Sequence, residues 1–232
     1  CGPAIPAQQH PGQWLGAVLA GVGQQGRDKV VIYTSAAIES FGSWAEQLVA
    51  ESTGKAGKGL LPVVGGAAAT PDELSADSLL IYLRVDGEAD NEATDAVIEA
   101  LKQAGHPCVT LHLSDRYALA GEFFRWEYAT AVTGKLLGIN PFDEPNVTEA
   151  KEATARLLAH YQQHGALPTL SPVLTENGVT LLADGVQARG SLADVLAELV
   201  NQAAPNDYFA LLAYLPYGEE VDAALNDLRQ HL

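Results

Sequence analysis

The 232-residue chain contains no methionine, not even at position 1, and only two cysteines, Cys1 and Cys108. Two thiols cannot make a disulfide framework, so the plain expectation is a reducing, cytoplasmic setting. The missing methionine points to a piece of a longer polypeptide or a trimmed product. Basic residues are also scarce: 13 Lys and Arg stand against 29 Asp and Glu, a net charge of −16. That field argues against non-specific nucleic-acid binding and against an anionic membrane surface. No apolar run approaches the length of a membrane span, and no basic segment precedes an apolar one as in a signal peptide. What is abundant is apolar residue, 47% of the chain against 18% charged, which suits a packed globular core.

Along the chain, short β-branched or leucine-rich runs alternate with helical patterns. Strands are expected at Lys29–Tyr33, Leu60–Val64, Leu79–Val85 and Cys108–Leu113. Helices are expected at Gln13–Gln24, Ile38–Thr53, Asn91–Ala104, Asp115–Leu137 and Asn146–His164. The fourth of these, with Phe123, Phe124, Trp126, Ala131 and Leu136, reads as buried on more than one face. Asn146 and Glu149 form a capping-box pattern for the fifth. Strands alternating with helices imply parallel strands and right-handed crossovers. Residues 1–12 read as a linker, and the parallel α/β domain is expected over 13–168. Beyond it, Asn177-Gly178 marks a hairpin, Leu192–Val200 a helix, Asp207–Leu215 a strand and Val221–Leu228 a closing helix. Residues 169–232 are thus expected to form a small α+β extension.

Several motifs look informative and are not. Gly21, Gly23 and Gly26 spell G-x-G-x-x-G, but a helix precedes them and a strand follows, the reverse of a nucleotide loop. Lys55 and Lys58 follow glycines without the Ser or Thr of a P-loop. The six histidines show no H-E-x-x-H or other close ligand pair, and surface or core histidine is the reading adopted, with no metal site.

Two segments carry chemistry. In the first, Gln47 and Glu51 are four apart on a helix ending in Glu51-Ser-Thr-Gly-Lys55, which sets an amide beside a carboxylate. An ordinary solvated helix face would show the same spacing. The second is Asn140-Pro-Phe-Asp143-Glu144-Pro-Asn146, a bend between helices, with Lys151 about one turn into the next helix. Capping explains Asn146 and Glu149 but not the Asn-Pro-Phe-Asp bend or Lys151.

E-S-x-G-K together with N-P-F-D-x-P-x-V-x-x-x-K resembles the C-terminal half of phosphoglucose isomerases, and Phe123–Lys151 is similar to that family throughout. The nearest likeness is to the type fused behind a transaldolase, over roughly Gln13–Leu167. The resemblance implies a flavodoxin-like sugar-isomerase (SIS) domain of a cytosolic enzyme that interconverts glucose 6-phosphate and fructose 6-phosphate through a cis-enediol, without metal or organic cofactor. It implies Glu51 as the general base, Gln47 as a substrate-contacting amide and Lys151 as the group assisting ring opening. Glu144 takes the place of a substrate-contacting glutamine, and Thr148 that of a glutamate. No histidine lies in Pro62–Ser75, where the family keeps its ring-opening histidine. The phosphate-binding half would be a preceding SIS domain, so the expected partners are sugar phosphate, that domain, a transaldolase and a second subunit. A non-catalytic SIS-type sugar-phosphate binding domain is the competing expectation.

Overall fold

The computed structural model describes residues 5–64, 70–72, 74–183, 190–204, 207–216 and 218–231, with residues 7 and 229–231 described by backbone alone. The chain divides into two compact units, residues 1–146 and 147–232. The domain boundary expected at 168/169 falls inside the second unit.

The first unit is a four-stranded parallel sheet in the order β2-β1-β3-β4. Its strands are β1 (Lys29–Thr34), β2 (Leu61–Val64), β3 (Ser78–Val85) and β4 (Cys108–Leu113). All four fall where the β-branched and leucine runs place them. The helices are α1 (Pro11–Gly23), α2 (Glu39–Thr53), α3 (Asn91–Gln103) and α4 (Leu119–Leu137). The helix expected from Gln13 begins two residues earlier, because Pro11 suits a first turn and the His10 ring nitrogen accepts from the Gln13 N–H at 3.3 Å. This strand order flanked by helices is the flavodoxin-like, SIS-type arrangement.

β3 shows why the sheet is covered on both faces. Leu79, Ile81, Leu83 and Val85 join a core built with Leu15 and Leu19 of α1, Phe41, Ala45 and Val49 of α2, and Trp126 of α4. The alternate residues Leu80 and Tyr82 pack instead with Ile98 and Leu101 of α3. Period-two alternation thus feeds two cores, and this central parallel strand is apolar from Leu79 to Leu83. On the first face α1 and α4 approach closely. A Cβ on Gly16 would stand 2.5 Å from the Ala129 carbonyl oxygen, so only glycine allows that approach.

α4 differs from expectation. Its buried residues are Glu122, Trp126, Ala129, Thr130, Thr133 and Gly134, a single stripe. Phe123, Phe124 and Leu136 are 38%, 47% and 49% exposed. The many aromatics of this helix are not all core, since Phe123 instead stacks edge-on against Trp44 and Phe41 at the rim.

Glu122 is buried on that stripe with Oε2 unpaired, while Oε1 lies 3.2 Å from Arg125. Burial pushes its carboxyl above the ordinary carboxylate range, and Arg125 pulls the other way. A carboxyl whose pKa rises on folding contributes more below its unfolded pKa, near 4.3, and opposes folding as the pH climbs past it. Glu122→Gln is therefore expected to raise the denaturation midpoint at pH 7 and to change it little at pH 4. Urea unfolding at the two pH values checks this.

The second unit carries α5 (Pro145–His164, its first two residues belonging to the first unit), the hairpin of β5 (Leu174–Glu176) and β6 (Val179–Leu181), α6 (Leu192–Val200) and α7 (Glu219–His231). Asn177 and Gly178 have φ of 50° and 82°, the left-handed pair that a two-residue hairpin turn requires. Ser191 and Asp194 close a capping box on α6, and the Leu192 N–H donates to the Glu176 carboxylate at 2.6 Å. The strand expected at Asp207–Leu215 does not form. Residues 207–216 pair with no strand, and Leu212 and Tyr214 are 82% and 98% exposed. An apolar run makes a strand only where a neighbour supplies the ladder, and the described residues supply none there. Among the described residues no helix is long and apolar enough to cross a membrane.

Candidate functional site

A parallel sheet of this order reverses between β1 and β3, and ligands ordinarily lie beyond the carboxyl ends of the strands there. In this chain a buried hydrogen-bond cluster stands at the ends of β1 and β3. Ser35, just after β1, donates through Oγ to Asn91 Oδ1 at 2.5 Å and accepts from the Val85 N–H at 2.8 Å. Asn91 donates to the Val85 carbonyl at 2.6 Å and accepts from the Tyr82 hydroxyl at 3.1 Å. Ser35 and Asn91 are buried, and their polar groups are spent on fastening β1, β3 and α3 together.

The chemistry-bearing segments gather at the opposite edge, where the strands begin. α2 runs back from the end of β1 to the start of β2, so its last turn lies at that edge. α4 returns to the same edge, and Gly138, in the left-handed conformation at φ 71°, ends it. On α2, the Gln47 side-chain amide donates to Glu51 Oε1 at 3.2 Å. Both side chains are exposed, so the carboxylate expected to act as a base is open to a ligand and held by one amide. Burial pushes the neighbouring Glu46 carboxyl above its ordinary range.

The last residue of E-S-x-G-K explains why the two motifs occur together. Lys55 is 7% exposed, and its ammonium donates to the Asn140 carbonyl at 3.0 Å, to Asp143 Oδ1 at 2.8 Å and to the Asp143 carbonyl. The Asn146 amide donates to the Gly54 carbonyl at 3.1 Å. Lys58 donates to the Leu137 carbonyl at 3.1 Å, a cation on the negative end of α4. Asn140 holds the bend itself, its side-chain oxygen accepting from the Phe142 N–H at 3.1 Å. Segments about ninety residues apart are thus laced into one corner. In the sequence Lys55 shows as the last residue of E-S-x-G-K, with no sign of what its ammonium binds. A buried cation with three acceptors has no periodic signature by which to be found.

The capping box expected at Asn146 is not formed. α5 starts at Pro145, which places Asn146 inside the first turn, and its side chain serves Gly54 instead. Pro145 at the first helical position suits its fixed φ and missing N–H. Glu144 is exposed directly before α5. Lys151 is exposed on α5, in the second unit. The stretch Pro62–Ser75, expected to lack a ring-opening histidine, lies partly outside the described residues.

Pro141 sets how tightly the bend lies on α4. A Cβ on Gly134 would meet its ring at 2.7–2.9 Å. Gly134→Ala is expected to destabilise by about 1–2 kcal/mol: overpacking costs roughly 1–3 kcal/mol and the better helix propensity returns up to about 1. A lower urea midpoint at unchanged m-value would show it.

One histidine pair carries no signal in the motifs. His160 and His164 stack with ring centroids 4.2 Å apart. Among the described residues no group of three or more His, Cys, Asp or Glu could hold a metal ion.

Comparison with known proteins agrees with the likeness seen in the two motifs. The chain is 31% identical over 163 residues to a glucose-6-phosphate isomerase of Rubrobacter xylanophilus, covering 54% of this chain and 37% of that protein. It is 28% identical over 156 residues to a glucose-6-phosphate isomerase of Streptococcus pyogenes serotype M18, covering 52% of this chain and 35% of that protein. The chain therefore spans just over a third of the length of these curated relatives. A solved structure of a hypothetical protein of Thermus thermophilus superposes with a TM-score of 0.57 at 22% identity, over 67% of this chain and 47% of that one, which supports the fold. No family profile matches the chain.

Proposed function

We propose that the chain supplies the base-bearing half of an aldose–ketose isomerase that interconverts glucose 6-phosphate and fructose 6-phosphate. The observation that carries this reading is the lacing of E-S-x-G-K to the N-P-F-D bend through Lys55 and Asn146. It gives both motifs, which are also those of the resembled isomerase family, a common corner in which Glu51 is open and amide-held.

In this reading the Glu51 carboxylate takes the proton from C2 of the open-chain aldose. The C–H electrons form the C1=C2 bond of a cis-enediol as the carbonyl oxygen gains a proton. Glu51 then returns its proton to C1 as the C2 hydroxyl gives up its own proton to solvent and becomes the carbonyl, which yields the ketose and balances the proton taken up earlier at O1. Gln47 keeps the carboxylate oriented and reaches a sugar hydroxyl. Lys151 assists ring opening, where a cation stabilises charge developing on oxygen. Glu144 contacts substrate. The phosphate is bound by a preceding SIS-type domain of the same polypeptide, with a transaldolase before it. The assembly is a cytoplasmic homodimer and uses no metal or organic cofactor. On this account the 232-residue chain alone turns over weakly or not at all.

A second reading, a non-catalytic sugar-phosphate binding domain, is favoured by Glu144 and Thr148, which stand where the resembled family has glutamine and glutamate. A coupled assay separates the two, with fructose 6-phosphate supplied and glucose 6-phosphate detected. The isomerase reading expects turnover by the longer polypeptide and little by the chain alone. Binding of fructose 6-phosphate by the longer polypeptide without turnover would establish the second reading instead.

A further inference from the structure

Among the described residues the sheet of the first unit stops at β4, in the order β2-β1-β3-β4. The flavodoxin-like order continues to a fifth strand, and the right-handed crossover after the fourth sets it beside that strand. Here α4 makes the return to the edge where the strands begin, but the chain then enters the Asn140–Asp143 bend and α5.

The two outer strands differ. β2 has four residues and carries Pro62, both of which blunt an edge. β4 has six, Cys108-Val-Thr-Leu-His-Leu113, with no proline, lysine or acid among them. The Leu80 N–H donates to the Pro107 carbonyl and the Asp86 N–H to the Leu113 carbonyl. With Leu80 opposite Cys108 and Val85 opposite Leu113, the ladder to β3 takes the backbone groups of Val109, Leu111 and Leu113 and turns those of Thr110 and His112 outward.

The second unit holds a segment of matching character. Asp207-Tyr-Phe-Ala-Leu-Leu-Ala-Tyr-Leu215 has no glycine or proline and a single charge. Tyr208, Leu212 and Tyr214 are exposed, and so are the alternate residues Phe209, Leu211 and Leu215. As a strand it would be apolar on both faces, which suits a sheet covered on both faces, and the first unit has such a sheet.

We propose that residues 207–215 of one copy add as a fifth strand along the outer edge of β4 of a second copy, and that the reciprocal exchange closes a two-fold dimer. The occupant is a second copy because each chain carries both the open edge and the unpaired segment, and the single chain does not pair them. Exchange of identical elements satisfies both at once, and two-fold symmetry makes it closed rather than filamentous. Main-chain hydrogen bonds supply affinity in such strand addition, and the flanking apolar side chains supply fit. Two copies of net charge −16 repel each other, and these strands meet with only Asp207 and His112 as titratable side chains besides tyrosine and cysteine. The pairing does not depend on the isomerase reading.

The test is sedimentation of the full chain over a range of concentrations, beside Thr110→Pro, Thr110→Ala and the double variant Leu211→Pro/Leu212→Pro. A monomer–dimer equilibrium is expected, and it should tighten as salt screens the repulsion. Neighbouring N–H groups of a strand point to opposite sides, so one of the two prolines in the double variant must remove a donor facing β4. Thr110→Pro leaves the ladder to β3 in place, since proline suits an edge strand at a position whose N–H faces away from the sheet. Each proline variant is expected to weaken the dimer at least about tenfold. Thr110→Ala keeps the N–H and should leave the dimer unchanged. Circular dichroism shows whether the variants stay folded. Hydrogen exchange needs no variant: the amides of 108–113 and of 207–215 should slow together as the concentration rises. A chain that stays monomeric would overturn the proposal, and if 207–215 were then protected in the longer polypeptide, the segment would belong to another part of it. A dimer that both proline variants form at full affinity would also overturn it. So would protection of 207–215 at concentrations where the chain is monomeric, which would mean pairing within one chain.

Discussion

Glu51→Gln is expected to lower the turnover of fructose 6-phosphate by about 10²–10⁴-fold in the longer polypeptide that carries this chain, the range a positioned general base contributes. The substitution removes the basic oxygen while keeping size and shape. Glu51 is exposed and accepts from the Gln47 amide at 3.2 Å, a contact that the oxygen of a glutamine can also accept. Stability should therefore change by no more than about 0.5 kcal/mol, as for other surface substitutions. The loss should fall mainly on kcat. The base acts on the bound sugar, whereas in this reading phosphate binding comes from elsewhere. A variant with unaltered kcat and a raised KM would instead make Glu51 a binding residue. Gln47→Ala should show a smaller loss, because it leaves the base in place but unheld.

Lys55→Met is expected to destabilise the first unit by about 2–3 kcal/mol. Hydrogen bonds to a charged group contribute roughly 1.5–3 kcal/mol, and breaking a fully buried pair costs more, about 3–5. The Asp143 side chain is 53% exposed, however, and water can take up part of what Lys55 releases. The methionine fills the stem of the lysine, so no large cavity opens. What is lost is the tie between the end of α2 and the Asn140–Asp143 bend, leaving the Asn140 carbonyl without its partner. For a unit of this size the midpoint of thermal unfolding should fall by roughly 5–10 °C. Asp143→Asn should cost less, because Lys55 keeps both backbone carbonyls. Equal loss from the two variants would mean that the ion pair, and not the cradle of carbonyls, holds the corner.

The elements that local physics decides were legible in the sequence. β1, β3 and β4 follow from runs of Val, Ile and Leu too short and too apolar for a surface helix. Leu79–Val85, apolar but for Arg84, reads as a strand, and β3 proves to be covered on both faces. Asn177-Gly178 names its own turn. The failures share a cause, which is dependence on a distant partner. Phe123, Phe124 and Leu136 have the composition of core, but α4 is covered along one stripe only, and periodicity does not show what lies opposite. Residues 207–215 have the apolar run of a buried strand and no partner to pair with among the described residues. Lys55 reads only as the end of E-S-x-G-K; its acceptors lie 85 and 88 residues further along. Of the candidate site, Gln47 and Glu51 were readable as a helix-face pair. The lacing that joins their helix to Asn140–Asn146 required the fold.

The most direct test of a Glu51-driven enediol follows the proton itself. Glucose 6-phosphate would be incubated in D₂O with the longer polypeptide and its Glu51→Gln variant, and ¹H NMR would report exchange at C2 of the aldose and at C1 of the ketose. The account predicts deuterium entering both positions with the unaltered protein and at least about a hundredfold slower exchange with the variant. Isomerisation without solvent deuterium, or exchange at the same rate in Glu51→Gln, would contradict it.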